Sequence, residues 1–154
     1  MVLKHKHDHD ACIETALEAA QKICEVREKR FTPLRRRVLE LVWSKHKPIT
    51  AYEVLDLLSE GQKRVAPPTV YRALDFLIEE SFVHRIESLN AFVGCSDPAH
   101  KHQGHFMICT NCSNVMEMDE RSLHDVIEKA SAANGYSYEN SILEIVGICK
   151  NCRN

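Results

Sequence analysis

Four of the chain's seven cysteines form two identical pairs. Cys109 and Cys112 are one Cys-x-x-Cys pair, and Cys149 and Cys152 are the other. Such a turn directs two thiolates toward one point, and a second pair completes a tetrahedral set of sulfur ligands that suits a structural zinc. The alternatives are a redox dithiol, which needs only one pair beside a βαβ unit, and a set of unreactive buried thiols. Because the two pairs close a short segment with little room for a core, their spacing favours zinc.

Further side chains of the types that bind metals lie between residues 84 and 117. Histidine, cysteine and carboxylate are the ligands that zinc accepts. A single histidine on a strand is more often packed or solvated than bound to a metal. The density of candidates nevertheless predicts a second metal site, with ligands from both halves of the chain, that would clamp the two halves together. The candidates are His84, Cys95, His100, His102, His105 and Glu117.

Length and composition restrict the class of protein. The chain has 154 residues, enough for one ordinary domain or two small ones. It contains no run of about 18 apolar residues that would predict a membrane span, and its start lacks the apolar segment of a secretory signal. An odd number of cysteines without an export signal indicates the reducing cytoplasm, where paired cysteines serve metals or redox chemistry. The net charge of −2 by itself predicts no partner.

The first part of the chain has the pattern of a DNA-binding domain. Residues 1–10 are polar and rich in histidine, which predicts a flexible arm. Residues 11–95 contain four segments with apolar residues at helical spacing, and Thr32 with Pro33 marks the start of the second. Two short alternating segments, "FVHRIES" and "AFVGC", then predict a β-hairpin. Four helices followed by a hairpin are the layout of a winged helix-turn-helix domain.

The fourth predicted helix, in "PPTVYRALDFLIEE", has one apolar face and one polar face. Thr69, Tyr71 and Arg72 fall on the outer faces. An arginine in the first turns of a recognition helix can bind guanine O6 and N7 in the major groove, while threonine and tyrosine suit phosphate contacts. An ordinary amphipathic helix of a bundle would show the same pattern. The residues predicted to face inward are Val70, Leu74, Leu77 and Ile78.

Residues 96–154 form a second predicted unit with an α/β pattern. Strands are expected on both sides of the first cysteine pair, then a helix capped by Asp119, and then one long strand through "SYENSILEIVGIC". One face of that helix is predicted to be apolar. A unit this small usually needs a metal or a dimer partner to be stable. The predicted fold class is therefore α+β, with a winged helix-turn-helix domain followed by a small α/β dimerisation domain that holds a structural zinc site of four cysteines. The apolar helix face consists of Leu123, Val126, Ile127 and Ala130.

Several of these segments together resemble the ferric uptake regulator (Fur) family of metal-dependent repressors. "RFTPLRRRVLELV" is similar to the family's second helix, although Leu34 stands where glutamine is usual. "PPTVYRALDFL" resembles its recognition helix, and "ICTNCSNVMEM" resembles its first structural-zinc pair. The resemblance extends from about Ala19 to Cys152. "TAYEVLDLL" and "FVHRIES" resemble the family's zinc uptake regulator branch, in which a sensing cysteine stands at the position of Cys95.

The resemblance implies two zinc ions per chain, one structural and one regulatory. The four paired cysteines would hold the structural zinc. Family members dimerise through the second unit and bind DNA through the first, so a homodimer is expected. The regulatory zinc would be held by His84, Cys95, His102 and Glu117. DNA-contacting positions of the family match Tyr52, Tyr71 and Arg72.

The expected function is that of a cytoplasmic, zinc-activated repressor that binds double-stranded operator DNA. When zinc is scarce, the repressor would leave the operator and the zinc uptake genes would be transcribed. An iron or peroxide sensor of the same family is one alternative, although a cysteine ligand favours zinc. A thiol-redox protein and a zinc store are alternatives from other classes. The sequence shows no nucleophile–base pair or phosphate-binding loop, so we expect no enzymatic activity and no small-molecule substrate.

Overall fold

The structure is a computed structural model that describes residues 9–45, 47–60, 64–118 and 121–153. It divides into two compact units, of which the first ends at Lys101 and the second begins at His102. Most of the arm predicted for residues 1–10 lies outside the described residues, as does the predicted cap Asp119. His9 and Asp10 are described, and they belong to the first helix rather than to an arm.

The second and third helices of the first unit each begin directly after a threonine that caps them. The side chain of Thr32 accepts a hydrogen bond from the backbone N–H of Arg35, at 3.3 Å, with Pro33 as the first helical residue. Thr50 and Glu53 form a reciprocal capping box at the third helix. The elements are α1 (His9–Val26), α2 (Pro33–Trp43), β1 (Ile49–Thr50), α3 (Ala51–Ser59), α4 (Pro67–Glu79), β2 (Val83–Ile86) and β3 (Ala91–Gly94).

The predicted hairpin is present, and β1 extends it. The strands are antiparallel in the order β1-β3-β2, so the wing is not the two-stranded ribbon that the sequence predicted. A 3₁₀ turn at Glu87–Leu89 joins β2 to β3 and ends at Asn90, whose left-handed φ of 45° reverses the chain. β1 has only two residues, too few for an alternating pattern to be recognised.

The first unit has a continuous apolar core. It includes Val70, Leu74 and Leu77 of α4, as predicted, while Ile78 is half-buried at its edge. Cys24 is buried in this core and Cys12 is half-buried, so Cys24 behaves as a small apolar residue. The largest fully buried side chains also include Leu39, Ile49, Ile86, Val38, Val42, Val54 and Val83.

The second unit is a small sheet with one described helix. Its elements are β4 (His105–Cys109), β5 (Val115–Glu117), α5 (Arg121–Ala133) and β6 (Leu143–Gly147), followed by a 3₁₀ turn at Lys150–Cys152. The strand order is β5-β4-β6, with β4 antiparallel to β5 and parallel to β6. The long strand predicted at the end of the chain is only β6. The strand does not start earlier because the backbone N–H of Ser141 donates to Oε1 of Gln103, at 3.0 Å, rather than to a neighbouring strand.

Little of the second unit is buried. Among the residues that the structure describes there, the buried apolar side chains are Phe106, Ile108 and Cys109. Val126, on the predicted apolar face of α5, is 62% exposed in the single chain. Across the described parts of both units, no helix is both long enough and apolar enough to span a membrane.

Candidate metal centres and DNA-binding surface

The two Cys-x-x-Cys pairs meet because adjacent strands end at the same edge of the sheet. β4 and β6 are parallel, and their register places Cys109 beside Gly147. Cys112 lies in the turn after β4, and Cys149 and Cys152 lie in the turn after β6. The carboxyl ends of both strands therefore deliver one pair each to a common point, as the sequence predicted.

The spacing of the four sulfur atoms fits a tetrahedral zinc site. All four lie within 4.8 Å of one another, and the Sγ atoms of Cys112 and Cys149 are 3.7 Å apart. A zinc–sulfur bond of about 2.3 Å in a tetrahedron places sulfur atoms about 3.8 Å apart. Disulfide bonding is not observed, since every cysteine among them is a free thiol. The geometry suits one ion held by four thiolates.

Electrostatics within this cluster favour binding a cation. Backbone N–H groups, first that of Cys149 and then that of Cys112, donate to Cys109 and lower the pKa of its thiol to about 6. A hydrogen bond with the Asn111 side chain lowers the pKa of Cys152, but bonding with the thiols of Cys149 and Cys112 outweighs it and raises this pKa to about 12. Four crowded thiols resist joint ionisation unless a cation balances their charge.

His102 and Glu117 form a second ligand pair within the second unit. Nε2 of His102 lies 2.7 Å from Oε1 of Glu117, and both side chains are partly exposed. The neighbouring Gln103 is held firmly, because its Oε1 accepts from the Tyr138 hydroxyl at 2.6 Å and its Nε2 donates to the Glu139 carbonyl at 3.3 Å. The backbone that carries His102 is thus fixed beside Glu117.

His84 and Cys95 form the corresponding pair within the first unit. His84 is on β2, opposite Val93 of β3, and Cys95 directly follows β3. Their candidate ligand atoms lie within 4.8 Å of each other. The backbone N–H of Cys95 donates to the carbonyl of Phe82 at 2.9 Å, which continues the pairing of the two strands by one step. The structure therefore brings the predicted regulatory ligands together as two pairs, one in each unit.

The two histidines without a predicted role have other partners. Nδ1 of His100 lies 3.0 Å from the Asp97 carboxylate on the surface. His105 is buried at the start of β4, and its Nε2 lies 3.0 Å from Oγ of Ser141. His102 is the histidine of this stretch that lies beside another predicted ligand, Glu117.

One candidate group was missed by sequence reasoning. His124, Asp125 and Glu128 come together on the exposed surface of α5, with Nδ1 of His124 3.9 Å from the Glu128 carboxylate. Glu128 follows Asp125 by three positions and His124 by four, and that helical spacing could have indicated the group. Exposed acidic groups of this kind are common without a metal, so we assign it no role.

The predicted DNA-contacting residues lie on the surface of the first unit. Thr69, Tyr71 and Arg72 are exposed on the first turns of α4. The opposite face of α4 packs against the core, as the sequence predicted. Tyr52 is 72% exposed at the start of α3. Ala66 precedes α4 and has no side-chain oxygen to cap it. Pro67 and Pro68 have no N–H, and the N–H of Thr69 donates to the Ala66 carbonyl at 2.9 Å, so the polar groups that this surface offers are those of the side chains. This surface has the donors that DNA binding requires.

Comparison with known proteins gives a consistent result. The model of the ferric uptake regulator family matches residues 26–146. The zinc uptake regulation protein of Escherichia coli (strain K12) is 40% identical over 139 residues, which cover 88% of this chain and 80% of that protein. These matches extend across both units.

Solved structures agree with the sequence relatives. A zinc uptake regulator in complex with zinc and DNA is 38% identical, with a TM-score of 0.87 over 92% of this chain and 95% of that one. Holo XcZur is 40% identical, with a TM-score of 0.84 over 90% of this chain and 97% of that one. The fold predicted from the sequence is confirmed by these similarities.

Proposed function

Because this chain belongs to the ferric uptake regulator family, we propose that it is a zinc-responsive transcriptional repressor that binds double-stranded operator DNA as a homodimer. It acts in the cytoplasm and controls genes of zinc uptake. The observation that carries the proposal is the identity with the E. coli zinc uptake regulation protein, which spans both units. The iron- and peroxide-sensing alternatives have no comparable support.

Each chain holds two zinc ions in this proposal. The structural one is held by Cys109, Cys112, Cys149 and Cys152, whose sulfur spacing suits a tetrahedral ion. The regulatory one is held by four ligands, of which each unit contributes a preformed pair. They are His84, Cys95, His102 and Glu117.

The regulatory ligands give the chain a means of responding to zinc. When bound, zinc supplies metal–ligand bonds whose strength exceeds that of the contacts between the free ligands. Because the ligands come from both units, their joint coordination favours the arrangement of the chain that binds DNA. A shift from 1:99 to 99:1 requires about 5.5 kcal/mol of differential affinity, which coordination by four residues can provide.

DNA recognition belongs to the exposed faces of α3 and α4. Arg72 is suited to a bidentate contact with guanine, which reads sequence. Thr69, Tyr71 and Tyr52 have hydroxyl groups that can donate to phosphates and fix the register of the helix. All four side chains point outward from the first unit, which supports their assignment.

Dimerisation belongs to the second unit. Its sheet leaves apolar side chains on the surface at Met107 of β4 and at Ile145 and Val146 of β6. A monomer rarely exposes so many apolar side chains on one small unit without a partner. A second copy of the chain would cover them.

Metal content and DNA binding measured together test the proposal. Purified protein should contain two zinc equivalents per chain, falling to one after mild chelation with the dimer intact. Binding to a labelled operator duplex should then require added zinc and fail with iron(II). Cys95→Ser should remove this response, whereas Cys12→Ser, outside both ligand sets, should keep it. A single zinc per chain with no uptake of a second, or full activation by iron(II), would contradict the proposal.

A further inference from the structure

The recognition helix α4 ends in a tightly bonded turn formed by residues 80–82, called here the α4 turn. The backbone N–H of Phe82 donates to the Leu77 carbonyl at 2.8 Å, and Ser81 has a left-handed φ of 66°. This pattern is a Schellman motif, which fixes the direction in which the chain leaves a helix. The chain leaves α4 directly into β2, on which His84 lies.

Arg27, just after α1, binds this turn and a distant segment at the same time. One guanidinium nitrogen, Nη1, donates to the Glu80 carbonyl at 2.8 Å and to its carboxylate at 3.1 Å. The other, Nη2, donates to the carbonyl of Pro98 at 3.4 Å. The Glu80 side chain is only 9% exposed, so this ion pair is largely shielded from solvent. The planar fork of arginine suits two partners held in fixed directions.

The segment that includes Pro98 also carries the regulatory ligand Cys95. We call residues 95–98 the Cys95 segment. Its first residue is bonded directly to the α4 turn, because the N–H of Cys95 donates to the Phe82 carbonyl at 2.9 Å. Its last residue is bonded to the same turn through Arg27. The Cys95 segment is therefore attached to the end of the recognition helix at both of its ends.

We propose that Arg27 is a positioning residue that couples zinc binding at Cys95 to the orientation of α4. This inference rests on the proposed function and adds a route by which the metal ligand acts on the DNA-binding helix. With both attachments in place, a displacement of the Cys95 sulfur moves the Cys95 segment and the α4 turn together. Without Arg27, the far end of the segment at Pro98 is no longer bonded to the α4 turn, and part of the displacement is lost before it reaches α4.

The coupling is measurable as the ratio of two dissociation constants, for a labelled operator duplex without and with zinc at the regulatory site. The duplex can be selected from random sequence by the zinc-loaded wild type. We expect Arg27→Met to shrink this ratio about tenfold, within the range typical of coupling between sites. The affinity of the regulatory site for zinc without DNA, measured by competition with a chromophoric chelator, should stay near the wild-type value.

Lys29→Met provides a matched control. Lys29 also lies close to the Glu80 carboxylate, at 3.5 Å, but its side chain is 53% exposed. This variant removes one positive charge beside Glu80 and leaves the bond between Arg27 and Pro98 intact. The ratio should remain at the wild-type value. If Arg27→Met is poorly folded, Arg27→Lys keeps the charge beside Glu80 but lacks the fork, and it should also shrink the ratio.

The outcomes separate this inference from the proposed function. An unchanged ratio in a folded Arg27 variant, or an equal loss in Lys29→Met, would overturn the coupling while leaving the repressor function intact. A merely structural role would lower the thermal midpoint and both DNA affinities together, and that result would also overturn it. If the wild type itself binds the duplex equally well with and without zinc, the proposed function fails and the inference with it.

Discussion

Replacing Cys149 with serine is expected to unfold the second unit. Structural zinc in small domains contributes about 10–16 kcal/mol to folding. Among the described residues of this unit, Phe106 and Ile108 are the large apolar side chains that are buried, and each contributes about 1.5–3 kcal/mol. Their sum is well below the contribution of the metal. A cluster with three thiolates and a hydroxyl loses much of that contribution, so the sheet that presents the dimer surface is lost as well.

The consequences of Cys149→Ser can be followed in three measurements. Zinc per chain should fall by one equivalent, light scattering after size exclusion should show loss of the dimer, and proteolysis should cut within residues 102–154 before the first unit is attacked. Cys12→Ser is the matched control, because Cys12 lies on α1 outside the cluster. A soluble, dimeric and protease-resistant Cys149→Ser protein would refute the argument that zinc holds this unit together.

Three further substitutions test separate parts of the structure. Arg72→Ala should weaken operator binding by about 1–3 kcal/mol and relax base preference at one position, measured by fluorescence anisotropy with altered duplexes; equal losses on all duplexes would argue against base contact. Gly94→Ala should destabilise the first unit by about 1–3 kcal/mol in urea unfolding, since a Cβ there would overlap the Trp43 indole; unchanged stability would contradict this packing. Ser81→Gly should stabilise by about 0.5–1 kcal/mol, because glycine adopts the left-handed φ without strain. Ser44→Gly, at a right-handed position, should not stabilise, and a gain there would refute the φ argument.

The parts of the fold that sequence could predict are those encoded locally. Thr32 and Pro33 mark a helix start through a short-range hydrogen bond and ring geometry, and the structure has a helix there. The inward face of α4 follows from spacing alone, because the first unit has a core large enough to bury it. For α5, apolar spacing indicates which face is apolar but not whether anything covers it, and Val126 on that face is 62% exposed.

The candidate sites divide in the same way. The paired cysteines are detectable because a Cys-x-x-Cys turn fixes two ligands over a few residues. The register that joins the pairs is not local, since it depends on β4 and β6 being parallel neighbours. The contacts of Arg27 are even harder to predict from the sequence, because Glu80 and Pro98 lie 53 and 71 positions away in the chain. A basic residue after a helix gives no signal of a buried partner at such separations.

The two proposed zinc sites differ in what their loss would do, and the difference follows from the elements that hold the ligands. The four cysteines lie at the edge of a sheet with little core, so the zinc proposed for them would be part of the fold. His84 and Cys95, in contrast, are held by the β2–β3 pairing on a unit with its own apolar core. His102 is held beside Glu117 by the bonded neighbour Gln103. We therefore expect that zinc, if held by the proposed regulatory ligands, would leave them without unfolding either unit, and reversible release is what a sensor requires.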